Sequence, residues 1–219
     1  MVIKGISEGF HDASVTLIEG NEILWAKHAE RFSRKKNDRK NPLHLRYADA
    51  DVSVFYENVE LKNERRMRHR QLPLDTKIFH ECDYHTYHHE SHAAGAYYTS
   101  PFTEDVVCVV IDAIGEWDCS TIWTVKNGKI KKVWEKIYPQ SIGLFYSAIT
   151  KRIGLKPNED EYITMGMAAY GNVCVDMTYC FNEWANWHKG FSLEDFKGHR
   201  PEDIAASAQA HAELEIEKI

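Results

Sequence analysis

A chain of 219 residues that is 43% apolar and 12% aromatic carries enough nonpolar surface for one large domain or two small lobes. No apolar run approaches the roughly eighteen residues of a membrane span, and the amino terminus lacks the pattern of a secretory signal, so a soluble, cytoplasmic protein is expected. A formal net charge of −6 argues against a general nucleic-acid coat.

In chain order, Val2 to Ser7 alternates weakly and reads as a strand. Ala13 to Ile18 and Ile23 to Lys27 flank Gly20-Asn21, which predicts a hairpin. Arg31, Arg34, Lys35, Lys36, Arg39 and Lys40 follow within ten positions, and Arg65, Arg66, Arg68 and Arg70 form a second basic cluster. Such runs are usually solvated faces; the alternative is that both converge on one phosphate-binding pocket. Residues 46 to 58, in a region punctuated by Pro42 and Pro73, are expected to be helical, and residues 77 to 83 a short strand. Val106 to Ile111 is apolar throughout, as a strand covered on both faces would be, and is expected to share one mixed sheet with the first three strands.

Further along, Thr121 to Val125 and Lys129 to Lys136 form a second predicted hairpin, turned at Asn127-Gly128. Ser141 precedes Ile142 to Ile153, whose apolar positions recur at helical spacing and which Gly154 can stop. A short helix is expected from Met165 to Tyr170, ending at Gly171. Another spans 201 to 218, with Pro201 at its start and a stripe of Ile204, Ala208, His211 and then Leu214 or Glu215. No stop signal follows this last helix, which suggests a chain that once continued past Ile219. Strands, a helix, a further strand, a hairpin and more helices make an α/β order, with no internal repeat or low-complexity tract. The five cysteines, Cys82, Cys108, Cys119, Cys174 and Cys180, are odd in number and lack CxxC pairing, so they read as reduced and mostly buried.

The densest chemistry lies in His88-His89-Glu90-Ser91-His92, followed by a helix-forming Ala93-Ala94-Gly95-Ala96-Tyr97. On a helix His88 and His92 share one face, and an imidazole pair at that spacing can hold one metal ion. Asp112, behind the apolar strand, can supply an oxygen ligand. Three protein ligands leave coordination positions open, as a reactive centre needs. His11 and Asp12 sit in a loop just after the first strand, where side chains can meet a substrate or merely close a turn.

The ordered motifs resemble those of the N-terminal part of the NodU/CmcH-type O-carbamoyltransferases. Gly9-Phe10-His11-Asp12-Ala13-Ser14 is similar to the family's first-strand loop, and Glu30 to Asp38 to its ERFSRxKHD segment, with Asn37 in place of the His. His88 to Ala94 resembles HHLAHAA, Asp112 to Trp117 resembles DGxGEW, and Ser141 to Tyr146 resembles SxGxxY. Glu161 to Gly171 resembles EYKxMGLAxYG, with Ile163 for a common Lys and Asp160 for a common Gly before it.

The resemblance implies an actin-like, ribonuclease H-like mixed sheet with flanking helices, the first lobe plus the start of the second. Residues 1 to 219 would then be the N-terminal part of the catalytic domain. The rest of that domain, with one more metal-binding Asp, and a YrdC-like domain that makes carbamoyl-adenylate from ATP and carbamoyl phosphate would lie outside them, so these residues alone are not expected to make the adenylate. The family implies a mononuclear, iron-type ion on His88, His92 and Asp112, with His89 a surface or supporting residue. It implies transfer of the carbamoyl group to the hydroxyl of a small-molecule acceptor. His11 or Asp12 would recognise the acceptor or take its proton; Arg34 and Lys36 would meet phosphate or carbamoyl oxygens. Glu116 would support the metal or cap a helix, and Glu161 would bind the nucleotide or pair with a lysine. Tyr146, Tyr162 and Tyr170 read as packing residues. Two other functions compete: an actin-like ATPase or kinase, which gives the histidine pair no role, and a non-catalytic phosphate or nucleic-acid module, whose salt-sensitive binding would survive loss of the histidines.

Overall fold

The computed structural model describes residues 1–182 and 187–219. The chain forms two units: Met1–Cys108, Gly115–Trp117 and Val125–Ile130 make one, and Val109–Ile114, Asp118–Thr124 and Lys131–Ile219 the other.

The first unit opens on β1 (Val2–Ser7), β2 (Ser14–Glu19) and β3 (Glu22–His28). These strands form an antiparallel meander in which Ile6 pairs with Val15 and Leu17 with Trp25. Two short helices, α1 (Glu30–Ser33) and α2 (Leu43–Arg46), lead to β4 (Val52–Phe55), which lies parallel to β1 on its other side, Ile3 against Val52 and Ile6 against Phe55. The expected helix over residues 46 to 58 is therefore corrected. Ala48, Ala50, Val52 and Val54 alternate with Asp49, Asp51 and Ser53, a period of two, and β1 offers a strand to pair with.

A helix, α3 (Val59–Arg68), starts just beyond, where the Asn58 side chain accepts a hydrogen bond from Leu61 N at 3.1 Å. Residues 77 to 83 are also corrected, from strand to helix. Asp75 Oδ1 accepts from Lys77 N, and α4 (Lys77–Glu81) turns Phe79 inward against Phe55, ring centroids 5.8 Å apart. The short β5 (Tyr84–His85) pairs in parallel with β4, and α5 (His88–Tyr98) follows. The sheet order is β3-β2-β1-β4-β5, three antiparallel strands continued by two parallel ones. Ile6, Phe55, Val59 and Phe79 form the core beneath it.

A separate three-stranded sheet runs in the order β6 (Val106–Ile111), β7 (Asp118–Lys126) and β8 (Lys129–Ile137). The expectation that residues 106 to 111 join the first sheet, covered on both faces, is overturned. β6 is the edge of its own sheet, with Val110 8% exposed but Val107 65% and Val109 53%. An unbroken apolar run reports composition, not how many faces are covered. The fold class rests on the first sheet instead, whose strand order and α/β make-up are compatible with the actin-like, ribonuclease H-like arrangement.

In the second unit, Ser141 caps α6 (Ile142–Arg152) by accepting from Leu144 N at 3.0 Å, and Gly154 follows with a φ of 89°. α7 (Glu161–Ala168) begins a turn earlier than the sequence pattern suggests, because Asp160 and Glu161 open it. Next come α8 (Tyr179–Asn182), a 3₁₀ turn at Trp187–Lys189 and α9 (Pro201–Ile216). Phe145, Ile149, Met177, Cys180, Ile204 and Ala208 make the core. On α9 the stripe continues to Glu215, 8% exposed, not to Leu214, 53% exposed. All five cysteines are free thiols, but full burial holds only for Cys119 and Cys180, and Cys174 is exposed. Among the described residues no helix is long and apolar enough to cross a membrane.

Candidate functional site

The histidine run begins α5, and the placement of that helix is fixed at its first turn. The Glu116 carboxylate, 4% exposed, accepts from His88 N at 3.0 Å and from Asn58 N at 2.7 Å, so one side chain satisfies the starts of α3 and α5. Of the two roles considered for Glu116, helix capping is the one its contacts display. Arg65 holds the same segment from below: its Nε donates to Glu116 O at 2.5 Å and its Nη2 to Gly115 O at 3.3 Å. A Cβ on residue 115 would lie 2.9 Å from His88 Cβ, which accounts for the glycine.

With the helix seated, His88 and His92 project from one face, their Nε2 atoms 3.1 Å apart. Two nitrogens each about 2.0–2.1 Å from a single ion would stand roughly 3 Å apart, so the pair fits a shared metal. His88 is half-buried and His92 exposed. His89, expected at the surface or in support, is fully buried. The remaining polar residues of the run serve structure: Glu90 accepts from Thr86 Oγ1 at 2.9 Å, and Ser91 Oγ donates to Tyr56 O at 2.7 Å.

The other ring nitrogen of His88 meets Glu57, a residue the sequence reading missed. His88 Nδ1 lies 3.3 Å from Glu57 Oε2, and Lys62 Nζ donates to the same oxygen at 2.6 Å. Glu57 is 0% and Lys62 2% exposed, and the ammonium also lies 4.4 Å from the Phe10 ring centroid. Burial pushes the Glu57 pKa upward, but the bonds from His88 and Lys62 outweigh it and hold the carboxyl below its ordinary range. The signal was hidden because residues 46 to 58 read as one helix; with β4 in its place, Glu57 falls just past a strand end.

Asp112, in the second unit, stands just beyond β6. Its N donates to Cys119 O at 2.9 Å and its Oδ1 accepts from Ala113 N at 2.7 Å. The start of α6 presses on this turn. Ser141 Oγ donates to Ala113 O at 2.5 Å, and a Cβ on Gly143 would come 2.7 Å from Ala113 N. The close approach explains the glycine of the Ser141 to Tyr146 motif.

In the loop after β1, His11 Nδ1 lies 2.7 Å from Asp12 Oδ2, and His28 Nε2 lies 3.6 Å from Asp12 Oδ1. Asp12 takes a φ of 53°, in the left-handed region. Arg34, ending α1 at a φ of 58°, and Lys36 are exposed. Burial first, then the charge of Arg39, lowers the pKa of Arg66. Glu161 Oε1 accepts from Ser147 Oγ and Asn158 N, both at 2.6 Å, and among the described residues no lysine pairs with it. Tyr146 packs as expected, its hydroxyl donating to Gln209 Oε1 at 2.7 Å; Tyr162 and Tyr170, 65% and 79% exposed, do not.

An α/β fold with a mixed sheet of this order and a paired-imidazole helix defines the class. Residues 65–194 match the model of the carbamoyltransferase N-terminus, and the chain belongs to that family. It is 30% identical over 213 residues to uncharacterized protein sll1178 of Synechocystis sp., covering 77% of this chain and 34% of that protein. It is 32% identical over 178 residues to uncharacterized protein MJ1051 of Methanocaldococcus jannaschii, covering 77% of this chain and 33% of that one. The chain thus spans about a third of the length of these relatives.

Proposed function

We propose that His88, His92 and Asp112 hold a single divalent ion, ferrous iron, at which a carbamoyl group passes from carbamoyl-adenylate to an acceptor hydroxyl. The observation that carries this reading is the 3.1 Å separation of the two Nε2 atoms on α5, in a chain of the carbamoyltransferase N-terminus family. When bound, the ion would polarise the carbamoyl carbonyl and offset the negative charge that develops on its oxygen.

The chain's own side chains supply the rest. In transfer, the acceptor oxygen bonds to the carbamoyl carbon, the bond from that carbon to the adenylate phosphate oxygen breaks, and the hydroxyl proton goes to a base. His11 suits that role. With Nδ1 turned to Asp12 at 2.7 Å, its Nε2 is left to accept the proton, and Asp12 stabilises the imidazolium that results. Arg34 and Lys36 would pair with the phosphate of the departing AMP, and Glu161 stands as the proposed nucleotide contact. Carbamoyl-adenylate would reach this centre from the YrdC-like domain that the resemblance implies.

The metal is tested first. Ferrous ion is added anaerobically to the 219-residue chain, unbound metal is removed by gel filtration, and the retained iron is counted. One ion per chain is expected, and little or none for His92→Ala. No retention by the wild-type chain, or full retention by His92→Ala, would defeat the reading.

A further inference from the structure

We infer that Glu57 is a positioning residue, fixing His88 in the tautomer whose proton sits on Nδ1 so that Nε2 offers its lone pair beside Nε2 of His92. This rests on the metal reading above. An ionised carboxylate can only accept, so an Nδ1 at 3.3 Å from Glu57 Oε2 carries the proton, and a neutral imidazole then has none on Nε2. Carboxylate partners of metal-binding histidines act in this way, and their loss commonly weakens metal binding by about 10- to 100-fold.

The surroundings make this a built arrangement. A buried carboxylate needs a compensating charge, and Lys62, itself 2% exposed, supplies it at 2.6 Å. The ammonium in turn rests on Phe10, next to His11 in the loop after β1. Tyr56 sets its ring edge-on to His88, centroids 5.7 Å apart, and limits rotation of the imidazole. One carboxylate therefore ties the metal-facing histidine to the loop of His11 and Asp12.

The test uses two readouts on the full 219-residue chain. The first is the ring ¹⁵N spectrum of His88 in the metal-free wild-type protein at pH 8, assigned with His88→Gln. An Nδ1–H signature is expected, and an Nε2–H tautomer would overturn the inference without any variant having to fold. The second is ferrous-ion affinity, by chelator competition, of Glu57→Gln combined with Lys62→Met, which removes both buried charges together. Binding weaker by about 10- to 100-fold is expected, with circular dichroism matching the wild type. Wild-type affinity in a folded double variant would overturn the positioning role. If the wild-type chain binds no ion while His88 shows the Nδ1–H tautomer, the metal reading fails and the orientation by Glu57 stands.

Discussion

Ser141 and Gly143 show how far single side chains govern the turn that carries Asp112. Ser141 Oγ both caps α6 and donates to Ala113 O, and Gly143 admits Ala113 to a distance that no side chain would tolerate. Ser141→Ala should cost about 1–2 kcal/mol of unfolding free energy. Gly143→Ala should cost about 1–3 kcal/mol, because backbone and not a flexible tip must give way. Urea titration of the two variants checks both values, and a neutral Gly143→Ala would mean that the close approach is not retained in solution. At this scale the sequence marks the proposed ligands but not the residues that hold them in place. His88, His92 and Asp112 stand out by spacing and residue type, whereas Glu57 is one of many acidic residues until β4 and α3 bring it beneath His88. His89 shows the converse: the sequence leaves it a surface or a supporting residue, and only the packed helix places it inside.

Elements with a local chemical signature were legible. Asn127 and Gly128 adopt φ values of 50° and 71°, the paired left-handed conformation of a two-residue hairpin turn, and the sequence marks them plainly. Gly128→Ala forces a side chain into that region and should cost about 1 kcal/mol, read as a lowered midpoint of thermal unfolding, while Gly5→Ala, in an extended strand, serves as the control. The α6 cap and the proline start of α9 were equally clear. What failed were the short elements whose identity is decided by neighbours far along the chain. β4 exists because β1 pairs with it, and α4 because Phe79 packs on Phe55; a window of five residues cannot reveal either. β6 was found as a strand but given the wrong sheet, since partner choice is a long-range property.

For the whole molecule, the first sheet's order and the family match agree on an α/β carbamoyltransferase N-terminus. The sequence reached the same family through ordered motifs, and the structure now gives several of them physical reasons: Gly115 for the approach to His88, Glu116 for the helix starts, Gly143 for the Asp112 turn. The proposed activity depends on one centre. Crystals of the 219-residue chain grown anaerobically with ferrous ion, measured on both sides of the iron absorption edge, examine it most directly. One anomalous peak is expected, about 2.0–2.2 Å from His88 Nε2, His92 Nε2 and an Asp112 carboxylate oxygen. A peak held by other residues, or no peak at full ferrous loading, would contradict it.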